Sequence, residues 1–201
     1  MKTVDFYFDF ISPFGYLASL RVDAMAEKHG RTARWQSMLL GISVLKVMGM
    51  KPLPATPLKG PYLKRDMARY MRRHGITLGP RAGGKPSYPV FAGRAFHWLD
   101  AADPDLAKAY AKAALKAYWQ DGIDIGTAEA VSAIAAGVGA GREAVLEAVT
   151  EGSGDALLRG AIDRSLELGV FGSPFFLIDG EPFFGLEKME LVEEWLATGG
   201  W

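Results

Sequence analysis

An α/β fold, in which a small sheet is assembled from both ends of the chain around a long helical insertion, is predicted by three observations. Residues 1–40 carry a β-α-β pattern, residues 170–201 a β-β-α pattern, and residues 41–169 read as helices and irregular connections. A chain of 201 residues suits a single domain with a substantial core. Both halves and the insertion are therefore expected to form one domain, 1–201.

The first strand is the run Val4-Asp5-Phe6-Tyr7-Phe8-Asp9-Phe10, apolar at even positions and carrying Asp, Tyr and Asp at odd ones. Ser12-Pro13 then supplies an N-cap and a first-turn proline. Leu17, Leu20, Ala24 and Met25 recur at helical spacing, and Gly30 ends the helix. Thr32–Leu40 reads as the second strand, parallel to the first because a helix separates them. Pro52, Pro54, Pro57 and Pro61 make the stretch from Met50 to Pro61 an extended connection. Tyr62–His74 reads as a helix ended by Gly75, and Gly79–Pro89 as irregular. Asp103-Pro104 caps a helix running to Asp121, with Leu106, Tyr110, Ala113 and Ala117 inward and Lys108, Lys112 and Lys116 facing away. Helices follow at about 127–136, 141–150 and 155–168. Ser173–Ile178 is an apolar strand, Asp179-Gly180 a hairpin turn, and Glu181–Phe184 the partner strand. A last helix turns Met189, Val192 and Leu196 inward. This order is the thioredoxin layout interrupted by an all-helical insertion.

Composition removes several function classes. Lys plus Arg equals Asp plus Glu at 23 each, without the basic excess of a nucleic-acid binder. No apolar run reaches the roughly 18–20 residues needed to span a bilayer, and Asp5 and Asp9 break any secretory signal pattern. The expectation is a cytoplasmic protein with neither a nucleic-acid nor a membrane partner. Cysteine is absent, which excludes disulfide exchange, thiolate metal sites and a protein-borne thiol nucleophile. His29, His74 and His97 lack the spacing of a helical metal motif, so no metal is expected.

Ser12 and Pro174 carry the chemistry that remains. Ser12 reads first as an N-cap, worth about 0.5–2 kcal/mol, but in the thioredoxin layout the junction of first strand and first helix holds the reactive cysteine. Ser12-Pro13-Phe14-Gly15 stands in the place of C-x-x-C. The proline opening the third strand faces that junction in cis in such folds, with the preceding residue, here Ser173, offering its backbone to a peptide-like ligand. The aromatic set Phe6, Phe8, Phe10, Phe14, Phe171, Phe175, Phe176, Phe183 and Phe184 is read mainly as core, its members nearest Ser12 and Pro174 being candidates to line an apolar pocket. Two glycine-rich stretches imitate nucleotide loops. Gly79 to Lys85 has Pro86 where a P-loop needs Ser or Thr, and Gly137-Val-Gly139-Ala-Gly141 joins two helices rather than leaving a strand.

The opening Asp5-Phe-Tyr-Phe-Asp-Phe-Ile-Ser-Pro-Phe-Gly-Tyr16 resembles that of bacterial 2-hydroxychromene-2-carboxylate isomerases, which belong with the kappa-class glutathione transferases and are similar to the DsbA-type thioredoxin fold. The resemblance extends to Lys59-Gly-Pro-Tyr62-Leu-Lys-Arg-Asp66, Ala117-Tyr-Trp119, Gly169-Val-Phe-Gly-Ser-Pro174 and Phe184-Gly-Leu-Glu187-Lys188-Met189. It implies a DsbA-like fold, a glutathione cofactor, a small aromatic substrate and a homodimer. It also implies that Ser12 hydrogen-bonds the glutathione sulfur and that Lys59 and Tyr62 line the helical wall of that site. Ser173 and Pro174 then hold the cysteinyl unit, and Phe184, Glu187 and Lys188 lie beside them. Glu187-Lys188 stands where the family has Asp-Arg near the γ-glutamyl end, and a Lys lacks the bidentate geometry of Arg. Gly49-Met50-Lys51-Pro52 stands where the family has Gly-Asn before its proline pair, so the amide donor and acceptor of the family's active site is missing there.

On this reading Ser12 stabilises a thiolate rather than acting as nucleophile. Lowering a thiol pKa from about 8.5 by about 1.5–2 units needs roughly 2–3 kcal/mol. A helix N-terminus supplies about 0.3–1 kcal/mol and a hydrogen bond to a charged group about 1.5–3 kcal/mol. The activity implied is glutathione-dependent isomerisation of aromatic keto or hemiketal acids. A kappa-like glutathione transferase and a non-catalytic glutathione-binding domain are the alternatives.

Overall fold

The computed structural model describes residues 2–80 and 84–201. Four strands, β1 (Thr3–Phe8), β2 (Thr32–Ser37), β3 (Phe175–Ile178) and β4 (Glu181–Phe184), form one mixed sheet in the order β2-β1-β3-β4. β1 runs parallel to β2, with Phe6 opposite Trp35, and antiparallel to β3, with Phe6 opposite Phe176. Sheet and helices together are the α/β arrangement expected from the sequence, a small sheet built from both ends of the chain with the helical insertion between them. The two ends of the chain thus meet at the centre of the sheet.

That central position explains why β1 is buried on both faces despite its alternating sequence. Val4, Phe6 and Phe8 enter the main core, while Tyr7 packs with Met38, Val170 and Phe175 on the other side. Asp5 is neutralised by Arg34, which donates at 2.8 and 2.5 Å. The main core is an aromatic chain: Phe8 meets Trp35 at 5.3 Å and Phe96 at 5.6 Å between ring centroids, and Phe10 meets Tyr110 at 6.2 Å. The Asp179-Gly180 turn has positive φ at both residues, 54° and 91°, as the tight hairpin requires. Arg31 clamps it with bonds of 2.9 and 2.6 Å to the Asp179 carboxylate.

The described helices are α1 (Pro13–Ser19), α2 (Val22–Lys28), α3 (Lys59–His74), α4 (Val90–Asp100), α5 (Pro104–Trp119), α6 (Ala128–Ala136), α7 (Arg142–Thr150), α8 (Ser153–Glu167) and α9 (Met189–Thr198). The first predicted helix is in fact two, broken at Leu20-Arg21, and Leu20 is 48% exposed rather than inward. The strands end earlier than read, at Phe8 and Ser37, and a π-helical turn over Gly41–Val47 follows β2. α4 was not expected at all. It lies among α5, α6, α7 and α8 and buries Ala92, Gly93, Ala95, Phe96, His97 and Leu99, so no clean polar face marks its period. Lys108 does not face away but reaches Asp23 on α2 at 3.4 Å, whereas Lys112, which pairs with the same carboxylate at 2.5 Å, and Lys116 stay exposed as read. Gly137–Gly141 is the turn between α6 and α7, as read. Of the Gly79–Lys85 stretch, residues 81–83 lie outside the described residues.

Candidate functional site

At the C-terminal end of β1 the chain turns sharply into α1, and three segments distant in sequence converge on that turn. Ser12 is the N-cap of α1, with extended backbone at φ −85°, and its Oγ accepts from the Gly15 N–H at 3.0 Å. Its hydroxyl donates to the Ser173 carbonyl, also at 3.0 Å. Pro13 follows at the first helical position, where a missing N–H costs nothing. The Ser173–Pro174 bond is cis. Among the described residues the Ser173 N–H has no hydrogen-bond partner, whereas its carbonyl takes the Ser12 proton. The approach is close: a Cβ on Gly15 would lie 2.4 Å from Ser173 Oγ.

Asp9 is the residue that the sequence reading passed over. It is fully buried, and every polar group it owns is engaged at this junction. Its N–H donates to Ser173 Oγ at 3.0 Å, and its carbonyl accepts from the Ser12 N–H at 2.9 Å. The carboxylate accepts from the N–H groups of Ile11 at 3.0 Å and Leu40 at 2.7 Å. The β1–α1 turn, the cis-proline loop and the end of β2 are thereby tied to one residue, the loop through its backbone and the other two through its carboxylate as well. Burial pushes its carboxyl up to about 6, against the pull of the two backbone donors. The only local sign in the sequence is an acid set between two phenylalanines at the end of a strand; its partners lie 31 and 164 residues away.

Pro174 leads to the rest of the strip. Its carbonyl accepts from the Gly185 N–H at 3.0 Å, which holds the 3₁₀ turn Leu186–Lys188 against the loop, and that turn packs on α1. The Glu187 carboxylate folds over Gly185, at 2.6 Å from where its Cβ would stand. Phe184 is 44% exposed, lies across Gly172, and meets the half-exposed Phe171 at 4.7 Å between centroids. Ser12, Ser173, Pro174, Phe184, Glu187 and Lys188 therefore form one continuous strip. Lys59 and Tyr62 do not join it by any contact among the described residues. They stand exposed in the first turn of α3, which packs on the 3₁₀ turn Leu53–Ala55.

One turn beyond Ser12, Tyr16 stacks on Trp119 at 6.1 Å, and Trp119 donates its indole N–H to the Phe10 carbonyl at 3.0 Å. A groove of about 530 Å³ opens on the far side of Tyr16, between α1–α2 and α5, and Ser12 does not line it. Chemically, the strip offers one hydroxyl donor, one backbone N–H and one shared carbonyl beside exposed aromatic surface. That set suits a peptide-like ligand bearing a soft nucleophile. It contains no base placed to make Ser12 a nucleophile.

Comparison with known proteins agrees with this architecture. The family model of the DSBA-like thioredoxin domain matches residues 3–197. A protein of Sphingobium xenophagum named 2-hydroxychromene-2-carboxylate isomerase is 29% identical over 97% of this chain and 98% of its own length. Among solved structures, a 2-hydroxychromene-2-carboxylate isomerase superposes with a TM-score of 0.80 at 24% identity, covering 97% of this chain and 94% of that one. The cytosolic disulfide reductase DsbM from Pseudomonas aeruginosa, solved with GSH, superposes with a TM-score of 0.66 at 20% identity over 97% and 96%. At these identities the two structures speak to the fold.

Proposed function

This chain belongs to the DSBA-like thioredoxin domain family, and from that premise we propose that it is a glutathione-dependent isomerase of small aromatic keto or hemiketal acids of the 2-hydroxychromene-2-carboxylate type. The observation that carries the proposal is the Ser12–Ser173 pair: a hydroxyl donor in the place of the fold's cysteine, facing the backbone of a residue before a cis-proline. The names of the relatives that span nearly the whole chain support the substrate class.

The residues present fit glutathione. The unpaired Ser173 N–H and the Ser173 carbonyl are a donor and an acceptor for a cysteinyl amide unit, the half-exposed Phe184 gives it an apolar wall, and Lys188 supplies a cation for a carboxylate. Its chemistry, when bound, is that of a thiolate that adds reversibly to an unsaturated acid and leaves again with no net redox change. The contribution of Ser12 is then a hydrogen bond to sulfur. In this structure its proton is already given to Ser173, so turning it to a thiolate gains only the difference between a charged and a neutral bond, about 1 kcal/mol. With about 0.3–1 kcal/mol from the short helix α1, the bound thiol falls by about one unit from about 8.5. A ligand amide that takes over the Ser173 carbonyl releases Ser12 from that competition and restores the larger shift.

Ultraviolet titration of the glutathione complex, with turnover of 2-hydroxychromene-2-carboxylate followed in parallel, tests this reading. A thiolate band titrating near 7–7.5, lost in Ser12→Ala, together with a product of unchanged mass, supports it. A glutathione adduct in the product would instead make the protein a transferase. Met50, 55% exposed where the family has Asn, favours a second reading as a non-catalytic glutathione-binding domain; binding and a shifted thiol with no turnover is its signature.

A further inference from the structure

A formal charge of zero conceals a strong segregation of charge. Residues 50–74 hold seven basic side chains, Lys51, Lys59, Lys64, Arg65, Arg69, Arg72 and Arg73, against the single acid Asp66, so the rest of the chain carries −6. All seven are exposed. α3 sets them out by its period: Tyr62, Arg65, Arg69, Arg72 and Arg73 follow one outward stripe, while Met67, Tyr70 and Met71 pack on the core. Asp66 is taken up by Arg69 at 2.7 Å.

The N-terminal end of the stripe is apolar. Leu58, the residue before α3, is 89% exposed, and Tyr62, one turn on, is 58% exposed; Met50 and Leu53 next to them are 55% and 43% exposed. Leu58 is also held at φ 66°, ψ −49°, a backbone region that a residue with a Cβ adopts only at a cost. Its side chain thus stands out in solvent from a strained position, at the tip of a basic helix.

We propose that this face docks on an anionic lipid surface, with α3 lying along the headgroups and Leu58, Leu53 and Tyr62 entering the acyl boundary. Charge decides against a second copy of the chain as occupant: a twofold interface sets a patch against itself and would confront +6 with +6. An apolar tip dominated by the aliphatic Leu58 and Leu53, with Tyr62 alone as an exposed ring, favours acyl chains over nucleic acid. No described helix is long and apolar enough to cross a membrane, so the association is peripheral. Its strength comes from basic residues near the headgroups and from the inserted side chains.

The test is co-sedimentation of the full chain with vesicles, either phosphatidylcholine alone or phosphatidylcholine with phosphatidylglycerol, at low and high salt. Binding to the anionic vesicles only, lost in high salt, is expected. Arg65→Glu/Arg69→Glu, which changes four charges on an exposed face, should lower partitioning by at least about a hundredfold. Leu58→Gly should lower it by about tenfold while leaving its salt dependence intact. Circular dichroism melts establish that both variants are folded, and glutathione binding is read separately. Failure to sediment with anionic vesicles, equal binding to neutral ones, or binding of duplex DNA or polyglutamate in place of vesicles would overturn the proposal.

Discussion

Asp9 and His97 should oppose each other in the pH dependence of stability, and replacing Asp9 by Asn should uncover the opposition. Burial raises the Asp9 carboxyl from 3.8 to about 6. The native state therefore holds this proton more tightly than the unfolded chain does. The stability it lends is fully present below the unfolded value and is lost as pH rises through about 6. A shift of this size amounts to about 3 kcal/mol. His97, buried on α4 with its Nε2 at 2.8 Å from the Ser37 carbonyl, is lowered by burial from 6.5 to about 4. Its contribution has the other sign, present above 6.5 and lost as pH falls through about 4, and is again about 3 kcal/mol. Between pH 7 and 4 the two nearly cancel. Asp9→Asn leaves His97 alone, so the variant should lose about 2 kcal/mol relative to wild type on going from pH 7 to 4.5. That loss is added to a pH-independent cost of about 1–3 kcal/mol, because an amide oxygen cannot replace both carboxylate acceptors for Ile11 and Leu40. Urea denaturation of both proteins at pH 7, 6, 5 and 4.5 measures it, and the variant-minus-wild-type difference removes every other titrating group. A difference that stays flat across the series would refute the reasoning, because Asp9 would then titrate alike in the folded and the unfolded chain.

Three further outcomes follow from the geometry. Ser12→Ala removes a cap and leaves the Ser173 carbonyl without its donor, so it should cost about 1–2 kcal/mol of stability by urea denaturation, with or without ligand. Gly15→Ala drives a Cβ to 2.4 Å from Ser173 Oγ; it should destabilise by about 1–3 kcal/mol, and Ser173→Ala should recover most of that in the double variant, measured as a coupling energy by a double-mutant cycle. Leu58→Gly should not destabilise, since an exposed side chain at φ 66° loses no packing and relief of about 1–2 kcal/mol of strain offsets the entropy of glycine; a melting temperature at or above that of wild type is the expected reading.

What the sequence disclosed was local. The Ser12-Pro13 cap, the Asp179-Gly180 turn and the alternating run before Ser12 each declare themselves within a few residues, and each lies where it was expected. α4 was hidden because it is surrounded: with Phe96, His97 and Leu99 all buried, it has no solvent side to write a period into the sequence. Of the three lysines of α5, Lys108 misled for the converse reason. A stripe of charge is read as solvent-facing, and Lys112 and Lys116 stay exposed, yet Asp23, 85 positions earlier in the chain, draws Lys108 in, a pairing that only the tertiary fold creates.

The site itself divides along the same line. Ser12 and Pro174 could be found because a strand–helix junction and a proline at a strand entrance are local patterns, but what they do depends on partners that the sequence does not set side by side. In a thiol at this position the reactive atom itself would be tuned. An alcohol is a donor whose direction is set by competition among acceptors, and here the rival acceptor is the carbonyl of Ser173. Asp9 fixes that rival: its N–H holds Ser173 Oγ, its carbonyl holds the Ser12 N–H, and its carboxylate anchors the turn between them. The orientation of the Ser12 hydroxyl is thus framed three residues upstream, by the backbone of a residue whose buried carboxylate anchors the turn without touching the hydroxyl.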